Sequence, residues 1–127
     1  MSLLVDTDVL IWYLRGYPQA ARRLGSLAAL QRSAVSYMEL LQGMRNKAEL
    51  AALTKMLEQR AAAVLPLTPA ITHRAVALMA AWVLSHGLQM ADARVAATGL
   101  EHGLTLLTGN VKHFSAIDGL LVERFTP

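Results

Sequence analysis

The sequence contains no cysteine, few aromatic residues and few charged ones. The absence of cysteine excludes a disulfide framework and a thiolate metal site. Charged residues make up 17% of the 127 residues and hydrophobic residues 54%, a balance that excludes a disordered chain. The longest unbroken apolar run, residues 75–84, is too short to cross a bilayer and predicts a buried core helix.

Composition also bears on location and partners. No basic stretch precedes the first apolar run, so the sequence predicts a cytoplasmic protein without a signal peptide. The apolar excess predicts that a second copy or a partner covers part of the surface. The net charge of +3 would favour binding to a polyanion.

Short apolar strands alternate with helices along the chain. The predicted strands are residues 2–5, 33–36, 62–67, 104–108 and 120–125, the last at an edge of the sheet. The predicted helices are residues 18–30, 36–46, 47–60, 69–87 and 91–103. This alternation predicts an α/β fold, with a central, mostly parallel sheet and helices on both of its faces.

Acidic residues gather at one edge of this predicted sheet, where ligands bind outside the carboxyl ends of the strands. Asp6 ends the first strand, Glu39 is placed in the first turn of the helix after strand two, and Asp92 begins the helix before strand four. Thr108 and Asn110 follow at the end of strand four. Carboxylates about 4 Å apart repel by roughly 4 kcal/mol at an effective dielectric near 20, a penalty that a divalent cation removes. Oxygen donors without thiolates or a histidine pair predict Mg²⁺ or Mn²⁺ rather than zinc.

Each acid also has a purely structural interpretation. Asp6 could be a turn residue after a strand, and Asp8 is expected to N-cap the following helix rather than bind metal. Glu39 could complete a capping box that begins at Ser36, and Asp92 could complement a helix N-terminus. Only their shared edge favours a metal site.

Four motifs, in this order and spacing, resemble the PIN-domain family, and most closely its VapC-type toxin ribonucleases of type II toxin–antitoxin pairs. They are LLVDTDVLIWYL (residues 3–14), SYMELLQG (36–43), ADARVAAT (91–98) and LLTGNVKHF (106–114). The resemblance implies a single PIN-like nuclease domain over residues 1–127, bound Mg²⁺ or Mn²⁺, and endonucleolytic cleavage of RNA by a metal-activated water. It also implies a cognate antitoxin, whose peptide fills the groove beside the acids, and assembly as a homodimer or a higher hetero-oligomer.

Carried over residue by residue, the resemblance makes Asp6, Glu39 and Asp92 the family's three metal-binding acids. Asn110 completes the catalytic set at a position that is often acidic, and its lack of charge weakens the case for a second metal. His113 stands where many relatives have aspartate, and Asp8 where they commonly have asparagine. The extra carboxylate of Asp8 could compensate for the neutral Asn110.

The remaining site residues are those that would meet RNA. Arg15, Arg45, Arg94 and Lys112 are the basic residues expected to face it, His113 is a candidate for reaching a phosphate, and Thr108 for orienting a ligand or water.

Two other functions compete with the nuclease. A phosphohydrolase of the haloacid-dehalogenase type shares the Asp-x-Asp after an apolar strand, with Asp6 as the nucleophile and Asp8 as the acid. The lysine and acidic pair that should follow do not fit within the 19 residues after Thr108. The other alternative is a catalytically degenerate PIN-like domain that only binds a partner.

Overall fold

A parallel five-stranded sheet forms the centre of the described part of the molecule. The structure is a computed structural model that describes residues 3–27, 30–60 and 62–127. The strands are β1 (Leu3–Val5), β2 (Gln31–Ser33), β3 (Ala63–Leu65), β4 (Thr105–Thr108) and β5 (Val122–Arg124). Their order is β3-β2-β1-β4-β5, and every neighbouring pair is parallel. The predicted α/β fold is therefore confirmed, with the last strand at an edge.

Helices connect the strands and begin where side chains cap them. They are α1 (Thr7–Leu14), α2 (Pro18–Gly25), α3 (Ala34–Gln42), α4 (Lys47–Gln59), α5 (Pro69–His86) and α6 (Met90–His102). A short 3₁₀ turn, Val111–His113, follows β4. The side chains of Asp6, Ser33, Asn46 and Thr68 each accept a first-turn N–H, which supplies acceptors that the helix itself lacks.

Both faces of the sheet carry a hydrophobic core, as predicted. Side chains of successive strand residues point to opposite faces. Leu4 accordingly packs in one cluster with residues of α5 and α6, whereas Leu3 and Val5 pack in the other with residues of α1, α2 and α4. The central strand β1 is buried on both sides, which fixes the position of the residue that follows it.

The second strand lies earlier than the sequence predicted. It covers Gln31–Ser33 instead of residues 33–36, and α3 begins at Ala34. The N–H of Ser36 donates to Oγ of Ser33 at 3.0 Å, so Ser33 and not Ser36 caps the helix. The predicted capping box is therefore wrong, and Glu39 lies within α3 beyond its first turn.

Two other helix predictions also ended late. The helix α2 stops at Gly25 instead of residue 30, and part of the difference, residues 28–29, lies outside the described residues. The helix α3 stops at Gln42 instead of residue 46. By contrast, α4, α5 and α6 match their predictions to within one residue at each end, and Gly87 and Gly103 end the last two in the left-handed conformation.

The long apolar run is not the buried helix that the sequence predicted. It lies on α5, where Val76 is 64% exposed and Leu84 is 98% exposed. The helix buries Ile71 and Ala75 on one narrow stripe, because it packs on one side only, while the apolar residues continue around it. Coverage of this face by a partner or a second copy stays a prediction.

None of the helices in the described segments combines the length and apolar character that crossing a membrane requires.

Candidate functional site

Asp6 and Thr108 lie side by side at the carboxyl edge of the sheet. Val5 pairs with Leu107 in the β1–β4 register, and the N–H of Asp6 donates to the carbonyl of Leu107 at 3.0 Å. Asp6 and Thr108, which follow Val5 and Leu107 along the chain, therefore lie at the same edge of the sheet. The hydroxyl of Thr108 donates to Oδ2 of Asp6 at 2.8 Å within the buried interior.

Asp6 is the most deeply buried of the acids, with 7% of its surface exposed. Its Oδ1 accepts the N–H of Thr7 at 2.9 Å, so Asp6 is the N-cap of α1. The prediction that Asp8 caps this helix is wrong, because Asp8 lies in the first turn. The pKa of Asp6 is raised from 3.8 to about 6. Burial is the main cause, the charges of Asp8 and Asp92 add to it, and the hydrogen bonds from Thr108 and Thr7 oppose it.

Asp92 approaches the same edge from the first turn of α6. Its carboxyl is half-buried, and burial is the main cause that raises its pKa. Nδ1 of His113 lies 3.3 Å from Oδ2 of Asp92 and lowers the pKa, whereas the charge of Glu39 raises it. His113, the candidate for a phosphate contact, is thus placed against one of the predicted acids.

Glu39 reaches the edge from α3, and its side chain is exposed. Its Oε1 accepts the hydroxyl of Thr7 at 2.8 Å, which joins the start of α1 to the third predicted acid. The sequence reasoning did not identify Thr7. The available signal was its position between two aspartates at a helix start, where a hydroxyl can serve an acid of a neighbouring element.

The loop after β4 is held by both aspartates of the first motif. Oδ2 of Asp8 accepts the N–H of Gly109 at 2.9 Å and Nδ2 of Asn110 at 3.4 Å. The backbone N–H of Asn110 donates to the Thr108 hydroxyl oxygen at 3.0 Å. Burial is the main cause that raises the pKa of Asp8, and the Gly109 N–H lowers it. The predicted fourth position, Asn110, is therefore tied to this edge through Thr108 and Asp8.

The donor chemistry of this cluster fits a hard divalent cation, because every carboxyl group offers oxygen ligands only. The electrostatic links between Asp6 and Asp92, and between Asp92 and Glu39, place the three predicted acids in one neighbourhood. Over residues 3–27, 30–60 and 62–127, however, no three acidic or histidine side chains converge closely enough to hold a metal ion together. In their present positions, Asp6 and Glu39 accept hydrogen bonds from Thr108 and Thr7, and Asp92 contacts His113.

A groove of about 450 Å³ lies beside Glu39, between α1, α3 and α4. Its walls are mostly apolar and include Ile11, Leu14, Leu40 and Met44. Arg15 and Arg45, two of the predicted RNA-facing residues, also line it, and Arg45 pairs with Glu49 at 2.8 Å. The other two, Arg94 and Lys112, are exposed on α6 and in the 3₁₀ turn.

Known proteins are similar to this chain in sequence and in fold. The chain is 38% identical over 125 residues to Ribonuclease VapC10 of Mycobacterium tuberculosis, an alignment that covers 93% of this chain and 90% of that protein. Among solved structures, a toxin–antitoxin complex from Klebsiella pneumoniae contains a chain that is 25% identical, with a TM-score of 0.79 and 98% and 100% of the two chains covered. A chain of FitAcB from Neisseria gonorrhoeae is 28% identical, with a TM-score of 0.72 and 94% and 95% covered.

A chain with lower sequence identity has the same fold. A chain of VapBC2 from Rickettsia felis, solved with a DNA fragment of its promoter, is 19% identical and has a TM-score of 0.85, with 99% of this chain and 100% of that chain covered. The sequence model of the PIN domain family matches residues 3–120, which include all four motifs that suggested the resemblance. The chain therefore belongs to the PIN-domain family.

Proposed function

We propose that this protein is a metal-dependent endoribonuclease that acts as the toxin of a toxin–antitoxin pair. The observation that carries the proposal is Asp6, a buried carboxyl whose pKa is raised to about 6 in the neighbourhood of other carboxylates. A buried carboxylate beside like charges is costly unless a cation compensates it. The PIN-domain family match and the similarity to a protein named as a ribonuclease support the same activity.

Asp6 and Asp92 are the residues that would hold Mg²⁺ or Mn²⁺ directly. Glu39 and Asn110 would complete the site through oxygens or through waters. Binding requires the carboxylates to exchange some of their present partners for the cation, since Asp6 now accepts the Thr108 hydroxyl and Asp92 contacts His113. When bound, such a cation lowers the pKa of a coordinated water and offsets charge that develops on a phosphate.

The residues of the chain contribute position and charge to the hydrolysis. Thr108 holds one oxygen of Asp6 in place, and Thr7 does the same for Glu39. Arg15, Arg45, Arg94 and Lys112 are the cations that would attract the phosphates of RNA. Water adds to phosphorus in line with the ribose 3′ oxygen, whose bond to phosphorus breaks. The products are a 5′-phosphate and a free 3′-hydroxyl.

An antitoxin segment is the proposed occupant of the groove beside Glu39. Similar chains are found in a toxin–antitoxin complex and in VapBC assemblies. The apolar walls formed by Ile11, Leu14 and Met44 suit an apolar peptide, and the exposed carboxylate of Glu39 suits a basic side chain. Occupation of this groove would also cover one of the three acids, so the same contact would inhibit cleavage.

A degenerate domain that binds a partner without catalysis is the second candidate. It is favoured by the neutral Asn110 and by the lack of three converging metal ligands within the described residues. This candidate retains the groove and the partner but predicts no RNA cleavage with any metal.

Cleavage of a mixed RNA pool by the purified, antitoxin-free protein distinguishes the two candidates. Reactions would contain Mg²⁺, Mn²⁺ or EDTA, and Asp6→Asn would be compared with Asp118→Asn. Asp118 is an exposed aspartate in the loop before β5, so it is a control for the same chemical change. The nuclease predicts metal-dependent cleavage that Asp6→Asn removes and Asp118→Asn keeps. Intact RNA under all conditions would support the binding domain instead.

A further inference from the structure

Asp8 is the carboxylate at this edge that the proposed metal set does not include. We propose that Asp8 is a positioning residue, which fixes the backbone at Gly109 and the side chain of Asn110 beside the candidate metal site, and that it is not itself a metal ligand. The proposal rests on the proposed function for its consequence, but the contact that it describes is independent of that function.

Both carboxylate oxygens of Asp8 already accept hydrogen bonds. Oδ1 accepts the N–H of Val9 at 2.8 Å, within the first turn of α1. Oδ2 accepts the N–H of Gly109 at 2.9 Å, across a sequence separation of 101 residues. Oδ2 also accepts Nδ2 of Asn110, so a cation on this oxygen would displace one of two donors that both belong to the loop after β4. The position of Asp8 therefore suits a support of the loop better than a ligand.

Gly109 is the partner that permits this approach. A Cβ atom at residue 109 would lie 2.6 Å from Oδ2 of Asp8, which is closer than such atoms approach each other. Gly109 is not among the glycines with a positive φ, so its backbone conformation does not require glycine. Glycine at residue 109 therefore leaves room for the Asp8 carboxylate, which a Cβ atom would displace.

The charge of Asp8 also determines which way the Asn110 amide faces. A carboxylate accepts hydrogen bonds and cannot donate them, so the Nδ2 group of Asn110 must face Asp8, at 3.4 Å. The side-chain carbonyl oxygen of Asn110 then faces away from Asp8 and is available as an uncharged ligand atom for a cation. Because 3.4 Å is long for a hydrogen bond, the bond to Gly109 is the stronger of the two.

The two aspartates thus hold one loop from two sides. Asp6 is joined to Thr108, whose hydroxyl oxygen accepts the Asn110 backbone N–H, while Asp8 is joined to Gly109 and to the Asn110 side chain. Partners that orient metal ligands typically change metal affinity by about 10- to 100-fold when they are removed. Loss of the Asp8 contact should therefore weaken metal binding without removing any of the three proposed ligands.

The test combines amide hydrogen exchange at residue 109 with Mn²⁺ titration of the full chain. The variants are Asp8→Ala, which removes the acceptor, and Gly109→Ala, which keeps every carboxylate but displaces the Asp8 side chain from residue 109. Asp8→Leu, which keeps a side chain of similar size but has no acceptor, replaces Asp8→Ala if that variant does not fold. Asp118→Asn is the matched control. We expect faster exchange at residue 109 in Asp8→Ala, and Mn²⁺ binding weakened about 10-fold in both Asp8→Ala and Gly109→Ala.

Three results would overturn the proposal. Exchange at residue 109 that is unchanged in Asp8→Ala would show that the contact does not exist in solution. Wild-type Mn²⁺ affinity in Gly109→Ala would show that the contact does not support the site. Complete loss of Mn²⁺ binding in Asp8→Ala, as complete as in Asp6→Asn, would make Asp8 a ligand. If the wild type neither binds Mn²⁺ nor cleaves RNA, the proposed function fails, whereas the exchange rate at residue 109 still decides whether Asp8 positions the loop.

Discussion

The hydroxyl of Thr108 donates to Oδ2 of Asp6 at 2.8 Å, although the two residues are 102 positions apart in the sequence. Parallel pairing of β1 with β4 brings them together, because each residue lies at the carboxyl end of its strand. The same hydroxyl oxygen accepts the N–H of Asn110 at 3.0 Å. One threonine therefore connects the most buried acid to the loop that carries the fourth predicted site residue.

Replacement of Thr108 by valine should destabilise the protein and raise the pKa of Asp6. Valine has nearly the same shape but leaves Asp6 Oδ2 without its donor and the Asn110 N–H without its acceptor. Loss of a bond to a buried charged group typically costs about 1 to 3 kcal/mol. Chemical denaturation at pH 8 should therefore show a lower free energy of unfolding. An unchanged value would indicate that water replaces the hydroxyl.

Asp6→Asn should stabilise the metal-free protein at neutral and basic pH relative to the wild type. Since the folded-state pKa of about 6 lies above the ordinary value of 3.8, the wild type loses stability as the pH rises between these values. This shift corresponds to about 3 kcal/mol, because each pKa unit is worth about 1.4 kcal/mol. In EDTA, the stability of Asp6→Asn relative to wild type should increase by about this amount from pH 3.5 to pH 8.

The difference between the two proteins isolates the titration of Asp6, because most other groups titrate alike in both. A difference that stays constant over this pH range would show that Asp6 is not buried as a raised-pKa carboxyl. Asp118→Asn provides the baseline for an exposed aspartate.

Arg32→Met should also increase stability, for a different reason. Arg32 lies on β2 with only 3% of its surface exposed, and burial lowers its pKa. Its guanidinium stacks 4.6 Å from the centre of the Tyr37 ring, but Nε and Nη1 have no hydrogen-bond partner in the described part of the chain. Replacement of an unsatisfied buried charge by an apolar side chain of similar length should contribute about 1 to 3 kcal/mol.

Arg60→Met is the matched comparison for this prediction. Arg60 donates to the carbonyls of Leu24 and Leu27 and to the Tyr13 hydroxyl, so its replacement should lower the free energy of unfolding. Opposite signs for the two arginines in urea unfolding would support the account. Destabilisation by both changes would mean that Arg32 has a stabilising partner in solution.

Thr7→Val tests how Glu39 is positioned. The Thr7 hydroxyl donates to Oε1 of Glu39 at 2.8 Å on the exposed side of the site, so its removal should change stability little. Under the proposed function, RNA cleavage should fall by about 10-fold, as for other residues that orient metal ligands. Thr54→Val is the control, since the Thr54 hydroxyl bonds only within α4. Equal rates of RNA cleavage by both variants would show that Thr7 does not position Glu39 for the reaction.

Local rules were sufficient to place the principal acids. Asp6 follows a buried apolar strand and Asp92 begins a helix, and both features are visible in short windows of sequence. The second strand was misplaced because Gln31 and Arg32 are polar, whereas the apolar Val35 nearby belongs to a helix. Burial of Arg32 is a tertiary effect, which local hydrophobic patterns do not contain.

Other features depend on partners that are distant in sequence. The bond between Asp8 and Gly109 spans 101 residues, so neither residue identifies the other before the strands are paired. The exposure of Val76 and Leu84 on α5 also depends on distant parts of the chain. Composition predicted that they are buried, but the described chain packs against one side of this helix only. Hydrophobicity thus predicted the helix correctly and its surroundings incorrectly.

Calorimetric titration of the purified, antitoxin-free protein with Mn²⁺ tests the central claim most directly, because it measures the metal site without any assumption about the RNA target. Wild type and Asp118→Asn should bind the ion at pH 7.5, while Asp6→Asn and Asp92→Asn should lose the binding. Affinity in wild type should fall as the pH is lowered through about 6, since protons then compete for Asp6. Absence of binding to wild type, or equal binding to Asp6→Asn, would contradict the assignment of these acids as the metal site.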